Sequence, residues 1–158
     1  MIEKMTIQHI QAVQHVAAIS WHATYEGIIP KDVQKAFLQR AYSTQHLMHR
    51  IEHSHMYVAV EKGDIIGFAN FLPVRADKKV ELAALYMLPS KQGQKIGTKL
   101  LEFGIQQLKP DAIFAHVERE NLIGRQFYIA KGFQMTAEFT EDFAGHSLQS
   151  ITYEKRLV

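Results

Sequence analysis

Residues 85–101 carry the densest chemical signal in this 158-residue chain. An apolar, strand-like run ends at Pro89. The Gln- and Gly-rich turn Gln92-Gly93-Gln94-Lys95 follows, and an amphipathic helix begins near Ile96. A strand that enters a helix through glycine leaves backbone N–H groups free and sets the positive end of the helix dipole beside them. That combination binds phosphate, so the segment is expected to hold a phosphorylated cofactor. Two familiar phosphate loops do not fit. A P-loop needs four residues between its glycines and then Gly-Lys-Ser/Thr, whereas three residues separate Gly93 from Gly97 and Thr98 precedes Lys99. A dinucleotide fingerprint needs Gly-x-Gly-x-x-Gly, and Gln94-Lys95-Ile96 supplies no second glycine.

Residues 92–97 resemble the Gln/Arg-x-x-Gly-x-Gly/Ala pyrophosphate loop of the GNAT superfamily of acetyl-CoA-dependent N-acetyltransferases. Gln92 and Gly97 match it, and Lys95 stands where that family usually has glycine. A second block, residues 121–133, resembles the family's Asn-x-x-Ala-x-x-Phe-Tyr-x-x-x-Gly-Phe segment. Asn121, Phe127, Tyr128, Gly132 and Phe133 fall in register, with Gly124 in place of the alanine. The two blocks keep the family's order, separated by one helix and one strand, and a looser likeness extends over nearly the whole chain. The resemblance implies one N-acetyltransferase domain over residues 1–158, using acetyl-CoA as cosubstrate and no metal. Acetyl would pass directly to a primary amine in a ternary complex.

The resemblance also assigns roles. The pantetheine arm would pair with the backbone around Leu85, Tyr86 and Met87. The pyrophosphate would lie over the N–H groups of Gln92, Gly93, Gln94, Lys95, Ile96, Gly97 and Thr98, with Lys95 in an ordinary helical conformation. Asn121, Tyr128 and Lys131 would complete the cofactor contacts, and Asn121 is also a helix N-cap residue type. Tyr128 is the expected proton donor to the departing thiolate. Tyrosine (pKa about 10) is a weaker acid than a thiol (about 8.5), so full transfer is uphill by roughly 2 kcal/mol, small beside a reaction barrier. Its other reading is an aromatic anchor.

An amine arrives as ammonium and must lose a proton before attacking. Glu81 on the strand before the loop is the expected base, or else a surface carboxylate. Trp21, Tyr25 and Glu26 are candidates for a cationic-amine pocket, or for a hydrophobic staple between helices. Residues 41–47, the segment around Glu81 and residues 145–157 resemble bacterial spermidine/spermine N-acetyltransferases. A polyamine would suit Glu26, Glu81, Glu138 and Asp142 if these line one cleft. Glu141 is a further acidic candidate, or part of a solvated loop. His46, His49 and His53 share a helical stripe that reads as a solvated face rather than a metal site. His116 reads as a structural histidine.

These residues need a scaffold, and the sequence supplies an α/β one. Residues 1–5 read as a strand and Thr6 as the cap of a helix carrying Ile10, Val13, Ala17 and Trp21, ended by Gly27. Pro30 suits the first turn of a second helix, and Ser43 or Thr44 caps a third with Leu47 and Ile51 inward. Residues 57–60 and 65–72 flank the turn Glu61-Lys62-Gly63-Asp64 as a hairpin. Residues 80–88 form a buried strand, 96–108 a helix, 112–117 a strand and 122–131 a helix closed by Gly132. Two strands around Phe143-Ala144-Gly145 finish the chain. The order is β-ααα-ββ-β-α-β-α-ββ, a mixed central sheet flanked by helices.

The composition narrows function further. A net charge of +2 without a dense Lys/Arg run argues against nucleic acid. No apolar run reaches the roughly 18 residues of a membrane span, and the N-terminus lacks a signal-peptide apolar region. The absence of cysteine excludes disulfides, thiolate metal sites and a cysteine-bound acyl intermediate. The expected setting is therefore cytoplasmic, the partner a small-molecule amine, and the terminal strands the place where a homodimer would form. The alternatives are an acetyltransferase for peptide or protein N-termini or for small amine metabolites, and a non-catalytic acetyl-CoA sensor.

Overall fold

Local chemistry sets the element boundaries in the computed structural model, which describes residues 1–158. The order is β1 (Ile2–Lys4), α1 (Ile10–Tyr25), α2 (Lys31–Ala41), α3 (Thr44–His53), β2 (His55–Glu61), β3 (Asp64–Phe71), β4 (Lys79–Met87), α4 (Ile96–Leu108), β5 (Ala112–Glu118), α5 (Leu122–Ala130), β6 (Gln134–Phe143) and β7 (His146–Arg156). Thr6 opens a short 3₁₀ turn, and α1 follows from Ile10. Pro30 is the residue preceding α2 rather than part of its first turn. Ser43 caps α3, its hydroxyl accepting from the His46 N–H at 3.1 Å. The β2–β3 turn is Lys62-Gly63, with φ of 52° and 82°. Both are positive, as a type I′ two-residue hairpin requires.

The seven strands lie in the order β1-β2-β3-β4-β5-β7-β6. Every neighbouring pair is antiparallel except β4 and β5. Those two are parallel because α4 carries the chain across between them. Ile96, Leu100 and Leu101 of α4 and Tyr128 of α5 pack on one face with Tyr57, Phe71 and Ile113. Ile10, Val13, Val16 and Ala17 of α1 and Leu47 of α3 cover the other, against Met56, Val58 and Phe68. Gly104 lets α4 lie directly on Phe71, since a Cβ there would fall 2.2 Å from the Phe71 ring.

Two irregularities in β4 shape the molecule's centre. Asn70 pairs with Ala84 and Phe71 with Leu82, so Ala83 is an extra residue in the ladder. A single inserted residue swaps the faces of everything beyond it. Val80 and Leu82 accordingly face α4, whereas Ala84 faces α1. The second irregularity is larger. Lys79, Val80 and Glu81 pair with Ala112, Ile113 and Phe114, and there the parallel ladder ends. Beyond it β4 stays on β3 as far as Met87, and β5 stays on β7 as far as Glu118. The strands fork, leaving two facing backbone edges without a strand partner.

Candidate active site

A cavity of ≈ 630 Å³ fills the fork. One end is walled by the turn and first residues of α4, and the other by Ser20, Thr24 and Tyr25 of α1. The cavity therefore passes through the sheet from the α4 face to the α1 face.

At the α4 end none of the backbone N–H groups from Gly93 to Thr98 finds an acceptor in the chain; the ladder starts with Lys99 donating to Lys95 O at 3.0 Å. These donors sit at a helix N-terminus, where a phosphate is doubly favoured. Gly97 lets the start of α4 pack closely on Met87 and Phe127, because a Cβ there would lie 2.9 Å from Met87 Cε and 3.2 Å from the Phe127 ring. Lys95 differs from expectation. It has φ 64° and ψ 21°, the left-handed region, not a helical conformation. The turn demands a positive φ, and a lysine supplies it at a steric cost that glycine avoids.

Of the anticipated cofactor residues, Leu85, Tyr86, Met87, Gln92, Gly93, Lys95, Ile96, Gly97, Thr98, Asn121, Tyr128 and Lys131 all line this cavity, and Gln94 does not. The free N–H groups, the unpaired β4 edge and the through-sheet cavity fit a nucleotide pyrophosphate with a long, thin arm. Asn121 caps α5, its Oδ1 accepting from the Gly124 N–H at 3.0 Å. A Cβ on residue 124 would lie 2.7 Å from the Asn121 amide nitrogen, so glycine gives this cap its room.

Three phenols meet in the middle. The Tyr25 and Tyr86 hydroxyls share a hydrogen bond of 3.0 Å. Burial pushes the Tyr25 phenol up to about 12. It raises Tyr86 and Tyr128 as well, and the Tyr25 phenol adds to the effect on both. All three stay protonated at neutral pH and are available as donors. Tyr128 packs beside Phe133 and Tyr153 while lining the cavity. Tyr128 is thus both an aromatic anchor and part of the cavity wall.

Several anticipated residues lie elsewhere. Glu81 belongs to the last closed pair of the β4–β5 ladder, and the cavity wall begins at Leu82. Glu81 thus stands next to the cavity wall, not on it. Trp21 is core: it stacks on Phe37 (4.4 Å) and tilts against Tyr25 (4.5 Å), with its Nε1 buried and unpaired. Glu26 is exposed at the end of α1, outside the cavity. Of the proposed amine pocket only Tyr25 remains. Glu138 and Asp142 are exposed on β6, so the acidic set Glu26, Glu81, Glu138 and Asp142 does not line one cleft. No group of three His, Cys, Asp or Glu side chains is placed to hold a metal. Ser20, Thr24 and Glu120, which drew no reading from the sequence, also line the cavity, as does His116, read there as structural. Ser20 and Thr24 stand four apart on α1, a polar stripe beside Tyr25 that was visible in the sequence; the other two become recognisable only through the fork.

A forked mixed sheet with free N–H groups at one end of the fork suits an enzyme that takes a nucleotide-linked cosubstrate. The chain matches the acetyltransferase (GNAT) family over residues 15–133 and belongs to it. It is 30% identical over 151 residues to the spermidine N(1)-acetyltransferase of Thermoplasma acidophilum, covering 90% of this chain and 92% of that protein. It is 28% identical over 159 residues to the uncharacterized N-acetyltransferase YuaI of Bacillus subtilis, covering 95% and 89%. The crystal structure of the PaiA N-acetyltransferase of Thermoplasma acidophilum in complex with coenzyme A superposes with a TM-score of 0.84 at 27% identity, over 99% of this chain and 98% of that one. The protein is an acetyltransferase whose cosubstrate is acetyl-CoA. No helix is long and apolar enough to cross a membrane.

Proposed function

We propose that this acetyltransferase moves acetyl directly onto a primary amine of a small polycation, a polyamine, in a ternary complex. One observation carries the reading: a single cavity joins the free N–H groups of α4 to the polar wall of α1. When bound, acetyl-CoA supplies an activated acetyl carbon and a thiol leaving group. The N–H groups from Gly93 to Thr98 hold its pyrophosphate, with Lys95 and Lys131 on the cavity wall to add positive charge. The unpaired edge of β4 around Leu85 to Met87 accepts the pantetheine arm as an added strand would be accepted. Tyr128 keeps its proton at neutral pH and donates it to sulfur as the C–S bond breaks. Burial opposes ionisation of a phenol and of a thiol alike, so the raised Tyr128 phenol faces a thiolate that is itself a stronger base than in water.

The acceptor enters from the α1 side, between Ser20, Thr24, Tyr25 and Glu120. Glu118 and Glu141 lie near enough to raise the Tyr25 phenol electrostatically, so this end is acidic. A polyamine's second ammonium favours such an end, and the similarity to a spermidine acetyltransferase supports the same acceptor class. The test is thiol release from acetyl-CoA with spermidine, spermine, a monoamine of matching length, amino acids, short peptides and aminoglycosides. The expected result is a kcat/KM for spermidine at least about tenfold above the monoamine, an advantage that shrinks as salt screens the carboxylates. Equal rates for the two would remove the polyamine reading. Release with peptides alone would replace it with an N-terminal acetyltransferase.

A further inference from the structure

From the geometry of the forked sheet we infer that His116 takes the proton an ammonium acceptor must lose, and that Thr152 positions it. This rests on the amine-acetylating reading above.

His116 is the one imidazole lining the cavity. It lies on β5 just past the end of the β4–β5 ladder, so the strand that would have covered it has turned away. Its neighbours in sequence, Ala115 and Val117, are buried in the α4-side core, which turns His116 to the α1 face, where the acceptor enters. Its Nδ1 shares a hydrogen bond of 2.9 Å with the hydroxyl of Thr152, its partner on β7. Phe114 and Phe139 stand edge-on to the ring, at 5.7 and 5.3 Å. The ring is thus fixed through one nitrogen, and Nε2 has no partner in the chain. An Nδ1–H donated to the Thr152 oxygen leaves the Nε2 lone pair free to accept a proton.

The charged and titratable groups around this face are Glu81, Glu118, Glu120, Glu141, Tyr25, Arg75 and the Lys79–Glu154 ion pair. Of these, Glu120 and Tyr25 share the cavity wall with His116; the same wall also carries Tyr86, Tyr128, Lys95 and Lys131. Tyr25 is held protonated and accepts nothing as a base. Glu120 is exposed and faces Arg119 at 3.5 Å. An imidazole nitrogen is a stronger base than a carboxylate oxygen, so His116 is the better acceptor of an ammonium proton on this wall.

The protons balance. The acceptor R–NH₃⁺ gives one proton to Nε2 and becomes R–NH₂. Its lone pair forms the N–C bond as the C–S bond breaks. Tyr128 protonates the departing sulfur and regains a proton from nitrogen, and one N–H remains in the amide. His116 then releases its proton to solvent.

The experiment measures kcat/KM against pH for the wild type, His116→Gln, Thr152→Val and Glu120→Gln. Acceptors are spermidine and a series of primary amines of falling basicity, and acetyl-CoA affinity is followed separately. His116→Gln is expected to lower the spermidine rate at pH 7 by about 10², to abolish the acid limb of the profile and to leave acetyl-CoA affinity unchanged. Its deficit should shrink as the amine becomes less basic, because a neutral amine needs no base. Thr152→Val should fall between the two. An unaltered acid limb in His116→Gln, its transfer to Glu120→Gln, or an equal deficit on every amine overturns the assignment while leaving amine acetylation intact. A wild type silent towards every amine refutes the amine reading itself, and this inference with it.

Discussion

Lys95 offers a test in which strain and charge separate. Its φ of 64° places a side chain in the left-handed region, which costs a non-glycine residue about 1–2 kcal/mol. Lys95→Gly removes that cost but gives the unfolded chain extra freedom worth about 0.5–1 kcal/mol. The net expectation is a gain of about 0.5–1 kcal/mol, or roughly 1–4 °C in Tm for a chain of this size. Lys95→Ala keeps the Cβ and should gain nothing. Both variants lose the ammonium. At about 6 Å through water, one such charge attracts a phosphate charge by about 0.7 kcal/mol, roughly threefold in Kd. That difference should disappear at high salt. Thermal melts of the three proteins without ligand, and acetyl-CoA titrations at two salt concentrations, complete the comparison. If Ala stabilises as much as Gly, the turn is not strained by its side chain. If Gly destabilises, the lysine makes contacts that outweigh the strain and the reasoning fails.

Other expectations follow from the same structure. Tyr128→Phe should retain acetyl-CoA affinity and lower turnover by roughly 10²–10⁴; unchanged turnover in the thiol-release assay would remove it as the acid. Gly104→Ala drives a methyl into the Phe71 ring at 2.2 Å and should destabilise by about 1–3 kcal/mol or more, read from the urea midpoint. Stability should also fall at alkaline pH. The folded Tyr25 phenol is raised to about 12 while the unfolded one ionises near 10, so between these values the folded state binds more protons and stability declines as pH rises. Tyr25→Phe should flatten the decline measured by denaturation at pH 9 to 12.

Much of this was legible in the sequence because it is local. The strand–turn–helix around Gln92 to Ile96 and the helix Leu122–Ala130 with its glycine stop are encoded by residues that touch one another. What escaped depends on distant pairings. Whether Glu81 faces the cavity depends on where the β4–β5 ladder ends, and whether His116 is structural depends on the same event. The extra residue at Ala83 reverses the facing of β4 partway along, which alternation counted along the strand does not reveal. Trp21 read equally as a pocket residue or as a staple between helices; its stacking on Phe37 and Phe143, a long-range packing outcome, decides for the staple. Lys95 escaped for a different reason: nothing in a lysine announces a left-handed backbone.

The forked sheet divides molecular recognition into two inheritances. At the α4 end the cavity is read by main-chain N–H groups and a bare strand edge, which most side-chain changes leave untouched. At the α1 end its wall is made of side chains, among them Ser20, Thr24, Tyr25, His116 and Glu120. Such a protein can drift in sequence while keeping its donor, and can trade one acceptor for another through a handful of substitutions on a single wall. A combinatorial library confined to those positions should therefore yield altered acceptor preference with the donor unchanged.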